Sequence, residues 1–284
     1  MAEVCVITGG GSGMGLAAAK FMPAEKIIVI SGRTVSKLEG AAEELRQEGH
    51  TVYCQSCDTS DRESVRKLAE FAKSLGTIRN VINSAGLSPN MADGVKVLKV
   101  NALGTVYVNQ EFSKVMGKGS VIVDIASNSA YSLPGFMIKL VKKNYPYAET
   151  DEDKFIKGII RFANLANSEY NKSGFAYALS KNFVTWYARK CAYEYGPKGI
   201  RVCSLSPGLI STGMGELEKE AGGYLIKLSA EERMGTPEEL GFAIASVADE
   251  RNGYLAGVDV LVDGGSTNGK EFKKQKKSWG TRSS

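Results

Sequence analysis

Short apolar runs alternate along this chain with longer stretches whose apolar residues recur every three or four positions. The runs at 3–8 (EVCVIT), 26–31 (KIIVIS), 51–55 (TVYCQ), 79–83 (RNVIN), 119–125 (GSVIVDI), 200–205 (IRVCSL) and 258–262 (VDVLV) are rich in Val and Ile. Uninterrupted apolar runs of this length suit strands buried on both faces. Helical periodicity fills 14–22, 35–48, 61–75, 93–116, 175–196 and 237–249. Strands and helices in steady alternation predict an α/β chain with one doubly wound, Rossmann-like parallel sheet, flanked by helices and joined by right-handed crossovers.

One interval departs from that rhythm. Residues 129–173 intervene before the helix at 175–196, and within them DEDKFIKGIIRFANLANSEY reads as an amphipathic helix. Its first turn is acidic, and Phe155, Ile156, Ile159, Ile160, Ala163 and Ala166 fall along one side. This helical insertion either packs on the main body or also walls a pocket. The organisation expected is a single domain over 1–268 and a loop–helix at 212–232 that shapes a substrate site. Gly222 and Gly223 in that loop suit a mobile lid. Large apolar side chains in the two regions include Tyr131, Phe136, Met137, Tyr147, Phe155, Met214, Tyr224 and Leu225.

Charge changes the picture only at the C-terminus. The chain holds 36 Lys/Arg and 31 Asp/Glu; six of the bases and one acid fall in 269–284, which leaves 30 of each elsewhere. The body is therefore neutral, which argues against a nucleic-acid-binding surface, and the basic tail is expected to be a flexible extension. No run approaches the roughly 18 apolar residues that cross a bilayer, and the opening MAEVCVITGG carries no charged leader. A cytoplasmic protein with no membrane partner is expected.

The five cysteines (5, 54, 57, 191, 203) are irregularly spaced, and Cys54-x-x-Cys57 has no second pair. They are read as small buried side chains and no metal site is expected. The single histidine, His50, sits in a turn-like EGHTV. A Ser-His-Asp hydrolase or a His-ligated zinc enzyme is thereby excluded, so any acid–base chemistry must use another residue.

TGGGSGMG at 8–15 follows the first strand and opens a helix. Gly9, Gly11, Ser12, Gly13, Met14 and Gly15 would let backbone N–H groups approach a pyrophosphate at the positive end of the helix dipole. The turn lacks the GK[ST] ending of a P-loop, which disfavours triphosphate hydrolysis. The second strand ends ISGRT, without the acid that holds ribose hydroxyls in an NAD site. Arg33 there suits a 2′-phosphate, so NADP(H) is favoured over NAD(H). Asp58 and Thr59 follow the third strand, where Asp58 would accept from the adenine amino group or cap a helix, a task Ser60 or Asp61 fills equally well.

In GFAYALSKNF, Tyr177 and Lys181 stand four apart, one turn on a helix. Alone the pair means little. Taken in order, TGGGSGMG, NSAG at 83–86, Asn101, IAS ending at Ser127, YALSK at 177–181 and SPGLIST at 206–212 resemble the short-chain dehydrogenase/reductase family, in its main branch with TGxxxGxG and YxxxK. GTPEELG (235–241) and YLAGVDVLVDGG (254–265) extend the similarity, which covers about residues 3–266. Ser84 replaces the usual Asn of NNAG, a change expected to touch strand support more than chemistry. Ser127 and Tyr177 lie much further apart than is usual in the family. A weaker likeness is to the 3α-hydroxysteroid dehydrogenase/carbonyl reductase-like subgroup.

The resemblance implies an alcohol/ketone oxidoreductase with Tyr177 as general acid/base and Lys181 both assisting it and holding the nicotinamide ribose. Ser127 would donate to the substrate oxygen, in competition with Asn128 and Ser129, and Asn101 would anchor a water beside Lys181. Asn83, Ala85, Gly86, Pro207, Gly208, Ile210 and Thr212 would join the cofactor contacts. A homodimer or homotetramer through the helices at 93–116 and 175–196 is expected. The substrate expected is an apolar ring compound such as a hydroxysteroid or bile acid. Alternatives are a β-ketoacyl or small carbonyl reductase, or a catalytically silent nucleotide-binding regulator.

Overall fold

A computed structural model describes residues 1–213, 223–269 and 271–272. Met214, the middle of the 212–232 loop and nearly all of the basic tail lie outside the described residues. Seven strands form one sheet in the order β3-β2-β1-β4-β5-β6-β7: β1 (Glu3–Thr8), β2 (Ile27–Gly32), β3 (Thr51–Ser56), β4 (Thr77–Asn83), β5 (Ser120–Ile125), β6 (Ile200–Pro207) and β7 (Asp259–Val262). Every pairing is parallel. The chain order reverses between β1 and β4, which opens a crevice at the C-terminal strand ends.

Alternation along each strand divides the core into two layers. Val4 and Val6 face a cluster with Val65 and Leu68 of α3 (Arg62–Leu75), Phe112 of α5 (Gly104–Ser113) and Leu179 of α9 (Glu169–Tyr195). Cys5 and Ile7 face the other side, with Ala18 of α1 (Gly13–Lys20), Leu38 of α2 (Val35–Gln47) and Ile244 of α10 (Pro237–Ala248). The helix expected over 93–116 runs as α4 (Gly94–Leu98), a π turn at Lys99–Leu103, and α5. Asn101 stands in that π turn, where the backbone ladder is locally widened.

The run 151–170 does not form one helix. It divides into α8 (Glu152–Ala163) and the first residues of α9, six positions before the expected start of that helix. Asn164 ends α8, and Ser168 starts α9 by accepting a hydrogen bond from the Asn171 N–H. Short polar side chains at 164, 167 and 168 favour caps over helix interior, and Ala166 consequently lies off the apolar face.

Together α6 (Gly135–Val141), α7 (Tyr147–Thr150) and α8 make an additional helical layer over α5 and α9. Phe155, fully buried, meets the Phe183 ring at 4.9 Å, and Tyr145 meets Phe183 at 5.1 Å. Glu149 accepts from the Tyr187 hydroxyl at 2.8 Å and from Lys190 at 3.1 Å. Burial would raise its pKa, but Lys190, Tyr187 and Gln110 outweigh that and hold the carboxyl below its ordinary range. With this layer in place, α5 and the middle of α9 are covered on nearly every side. Among the described residues no helix is long and apolar enough to cross a membrane.

All five cysteines are free thiols, four of them buried. Burial pushes Cys57 up to about 11, far from a reactive thiolate.

Candidate active site

Parallel strands end on one edge of the sheet, and there the predicted residues gather. The glycine turn leaves β1 with its backbone packed tightly: a Cβ on Gly15 would lie 2.6 Å from the Gly9 carbonyl oxygen, and one on Gly9 would lie 3.0 Å from Ala85. Gly9 also needs its positive φ of 68°. Ser12 stands at the N-cap of α1 with no capping hydrogen bond from its side chain. The turn is thus a bare-backbone cradle at a helix N-terminus, which fits a pyrophosphate.

Two cavities adjoin along this edge. The smaller, about 140 Å³, is lined by Gly9, Arg33, Asp58, Thr59, Ala85 and Gly86. Asp58 accepts from the Ser60 N–H and hydroxyl at 2.9 and 2.7 Å, while Asp61 caps α3. Burial would raise the Asp58 pKa, but Ser60, with Arg33 and Lys96 nearby, holds it below its ordinary value. The larger cavity, about 290 Å³, is lined by Met14, Ser127, Tyr177, Lys181, Pro207, Gly208, Ile210 and Thr212. Among the described residues lining it, Lys181 alone carries charge.

Lys181 is buried, and its Nζ donates to the Ile125 carbonyl at 2.8 Å, so α9 is tied to the end of β5. The same Nζ lies 5.8 Å from the centre of the Tyr177 ring. Gly86 makes room behind them: a Cβ there would lie 3.2 Å from Asn101 Oδ1 and 3.6 Å from Lys181 Nζ. Asn101 brackets Leu87, accepting from its N–H at 2.8 Å and donating to its carbonyl at 2.9 Å. Ser127 follows β5 and its Oγ accepts from the Ser129 N–H at 3.2 Å. Ser129 and Asn128 line the same cavity.

Two expectations change here. Asn83 does not line either cavity; buried, it accepts from Thr8 Oγ1 at 2.9 Å and donates to Asp124 at 2.9 Å, tying β1, β4 and β5 together. Strand support therefore falls to Asn83, whereas Ser84 lines the larger cavity. The insertion reaches that cavity only at its ends, through Ser129 and Tyr170. Of the large apolar groups expected to shape it, Tyr224 and Leu225 do, while Phe155 belongs to the core and Tyr131 bonds Asp259.

Asp124 escaped sequence reasoning altogether. It is fully buried and accepts amide donations from Asn83 at 2.9 Å and Asn109 at 2.9 Å. Burial, only partly offset by those amides and by the Lys181 cation, pushes its pKa from 3.8 up to about 7. An acid whose pKa is raised by folding keeps its proton in the folded state while the unfolded chain has lost it. Stability from this group therefore falls as pH rises from about 4 to about 7, by up to about 1.4 kcal/mol per unit. Asp124→Asn should gain on the wild type across that interval in urea midpoints and hold a constant difference above it. A difference that does not vary with pH would contradict this account.

The described chain matches two adjoining family models, "short chain dehydrogenase" over residues 3–138 and "Enoyl-(Acyl carrier protein) reductase" over 137–267. It is 27% identical to a short-chain dehydrogenase/reductase of Alternaria brassicicola, covering 94% of this chain and 96% of that one. To 3beta-hydroxysteroid dehydrogenase 2 of Eggerthella lenta it is 25% identical, covering 93% and 94% of the two chains. A short chain dehydrogenase from Burkholderia cenocepacia, solved in complex with NADP, superimposes with a TM-score of 0.73 at 20% identity, over 92% of this chain and 96% of that one. With the seven-stranded sheet and the gathered motifs, these matches identify the chain as a member of the short-chain dehydrogenase/reductase family, an alcohol/ketone oxidoreductase that uses a nicotinamide cofactor.

Proposed function

We propose that the chain interconverts a neutral secondary alcohol and its ketone with NADP(H), the alcohol carbon being part of an apolar ring system. The observation that carries this is the meeting of Tyr177, Lys181 and Ser127 in one cavity whose other described lining residues are uncharged and which runs into the glycine turn. The bound nicotinamide supplies or accepts the hydride. Gly9, Gly11, Ser12, Gly13 and Gly15 hold its pyrophosphate, with Met14 beside them. Arg33, Asp58, Thr59, Ala85 and Gly86 hold the adenosine end, and Pro207, Gly208, Ile210 and Thr212 border the nicotinamide.

The chain's own residues manage the proton. A free tyrosine titrates near 10 and is a poor base at neutral pH. The Lys181 cation, fixed one helical turn away, favours the phenolate. In ketone reduction the Tyr177 hydroxyl gives its proton to the carbonyl oxygen, and in alcohol oxidation the phenolate takes it back. Ser127 donates a hydrogen bond to that oxygen as negative charge develops. Asn101, locked in the π turn, anchors a water that connects Lys181 to solvent.

The ring-system substrate is supported by the sparse charge of the cavity and by the hydroxysteroid relative. A panel of secondary alcohols with NADP⁺ tests it: turnover of ring alcohols is expected, and activity confined to small polar sugars would overturn it. The cofactor preference rests on Arg33, which is exposed at the rim of the smaller cavity. Removing a charge-assisted contact costs about 1.5–3 kcal/mol, so Arg33→Ala should raise the KM for NADP⁺ by about tenfold or more. The KM for NAD⁺ should hold within about twofold, and equal losses for both would refute the assignment.

A further inference from the structure

Tyr170, Gly174, Tyr177 and Lys181 follow one another along α9 at intervals of four, three and four, so they form one stripe about three turns long, one turn before Gly174 and two after it. All four line the larger cavity. Gly174 lies beyond the first turn of α9, where glycine costs about 0.5–1 kcal/mol relative to alanine. Several other helical glycines are explained by packing: a Cβ on Gly94 would lie 2.9 Å from Ala176 Cβ, and one on Gly158 would clash with Asn144 Oδ1. Among the described residues a Cβ on Gly174 would meet nothing within 4 Å, and the backbone there is helical. Gly40 on α2 and Gly135 at the start of α6 are as open, but both face solvent. Among the described residues neither backbone nor packing requires a glycine at 174, and the space it leaves belongs to the cavity.

Building on the alcohol/ketone function proposed above, we infer that Gly174 is a specificity notch. It admits the body of a ring-containing alcohol between the Tyr170 and Tyr177 rings while the reacting carbon lies at Tyr177. Tyr170, half exposed at the mouth, forms the outer wall and offers a flat aromatic face to the ring system. The site therefore favours an alcohol whose rings extend away from the carbinol along α9 over one with small substituents.

The test compares kcat/KM for a four-ring 3β-hydroxysteroid, cyclohexanol and propan-2-ol in the wild type, Gly174→Ala, Gly174→Leu and Tyr170→Ala. Filling the notch with leucine should lower the steroid-to-propan-2-ol ratio at least tenfold, chiefly through KM, with cyclohexanol between. Tyr170→Ala should lower the same ratio by a smaller factor. Independently of activity, Gly174→Ala should raise the urea midpoint, because helix propensity improves and nothing is displaced. A ratio that stays within twofold in Gly174→Leu, or a lowered midpoint in Gly174→Ala, overturns the notch. A wild type that turns over none of the three alcohols instead overturns the function on which the notch rests.

Discussion

Tyr177→Phe is expected to lower kcat/KM by about a thousandfold while cofactor still binds, the loss that removal of a general acid/base produces. The substitution deletes one oxygen and leaves the ring. That ring packs against Leu87, Val97 and Val100, so its position beside the cavity is held by apolar contacts that phenylalanine keeps. Lys181 likewise retains its bond to the Ile125 carbonyl. What disappears is the hydroxyl proposed to exchange a proton with the substrate oxygen. Cofactor affinity, read by quenching of tryptophan fluorescence, should change by less than about threefold, worth under 1 kcal/mol. Turnover within tenfold of the wild type would mean that another group carries the proton.

Phe155→Ala carries the largest expected loss of stability, about 3–5 kcal/mol. The side chain is fully buried, and it touches the Phe183 ring within an aromatic group that includes Tyr145, Trp186 and Tyr187. Truncation leaves a cavity between two helices that are anchored on opposite sides, α8 by the Asp151 cap and α9 by the sheet, so collapse is restricted. Chemical denaturation measures the loss. The same variant separates two views of the insertion. If it is a packed layer over α9, stability falls and the KM for alcohols changes little at low temperature. If Phe155 instead walled the substrate cavity, KM would rise with little change in the denaturation midpoint.

The sheet was legible in the chain because inner strands such as β1, β2, β5 and β6 are buried on both faces and so carry runs of Val and Ile, whereas the edge strands β3 and β7 are only partly buried. The glycine turn was equally plain, since its chemistry is local. The course of 151–170 was not legible in full. Asn164 and Ser168 each carry a capping tendency, but the periodic apolar residues around them hide the break until the chain is seen to turn. That early start of α9 is what places Tyr170 and Gly174 in line with Tyr177. The buried network of Asn83, Asn109 and Asp124 depends on segments far apart in sequence meeting in space, and no spacing rule reveals it. The destination of the insertion was hidden for the same reason. Its apolar stripe promised burial but not against which partner, and that partner proved to be α9.

The most direct measurement follows deuterium from the carbinol carbon of labelled cyclohexanol during a single turnover with NADP⁺, in the wild type and in Tyr177→Phe. The account predicts that wild-type enzyme yields cyclohexanone and reduced cofactor carrying the label, and that the variant with cofactor bound forms neither on the same timescale. Unlabelled reduced cofactor, or equal label transfer by the two proteins, would contradict it.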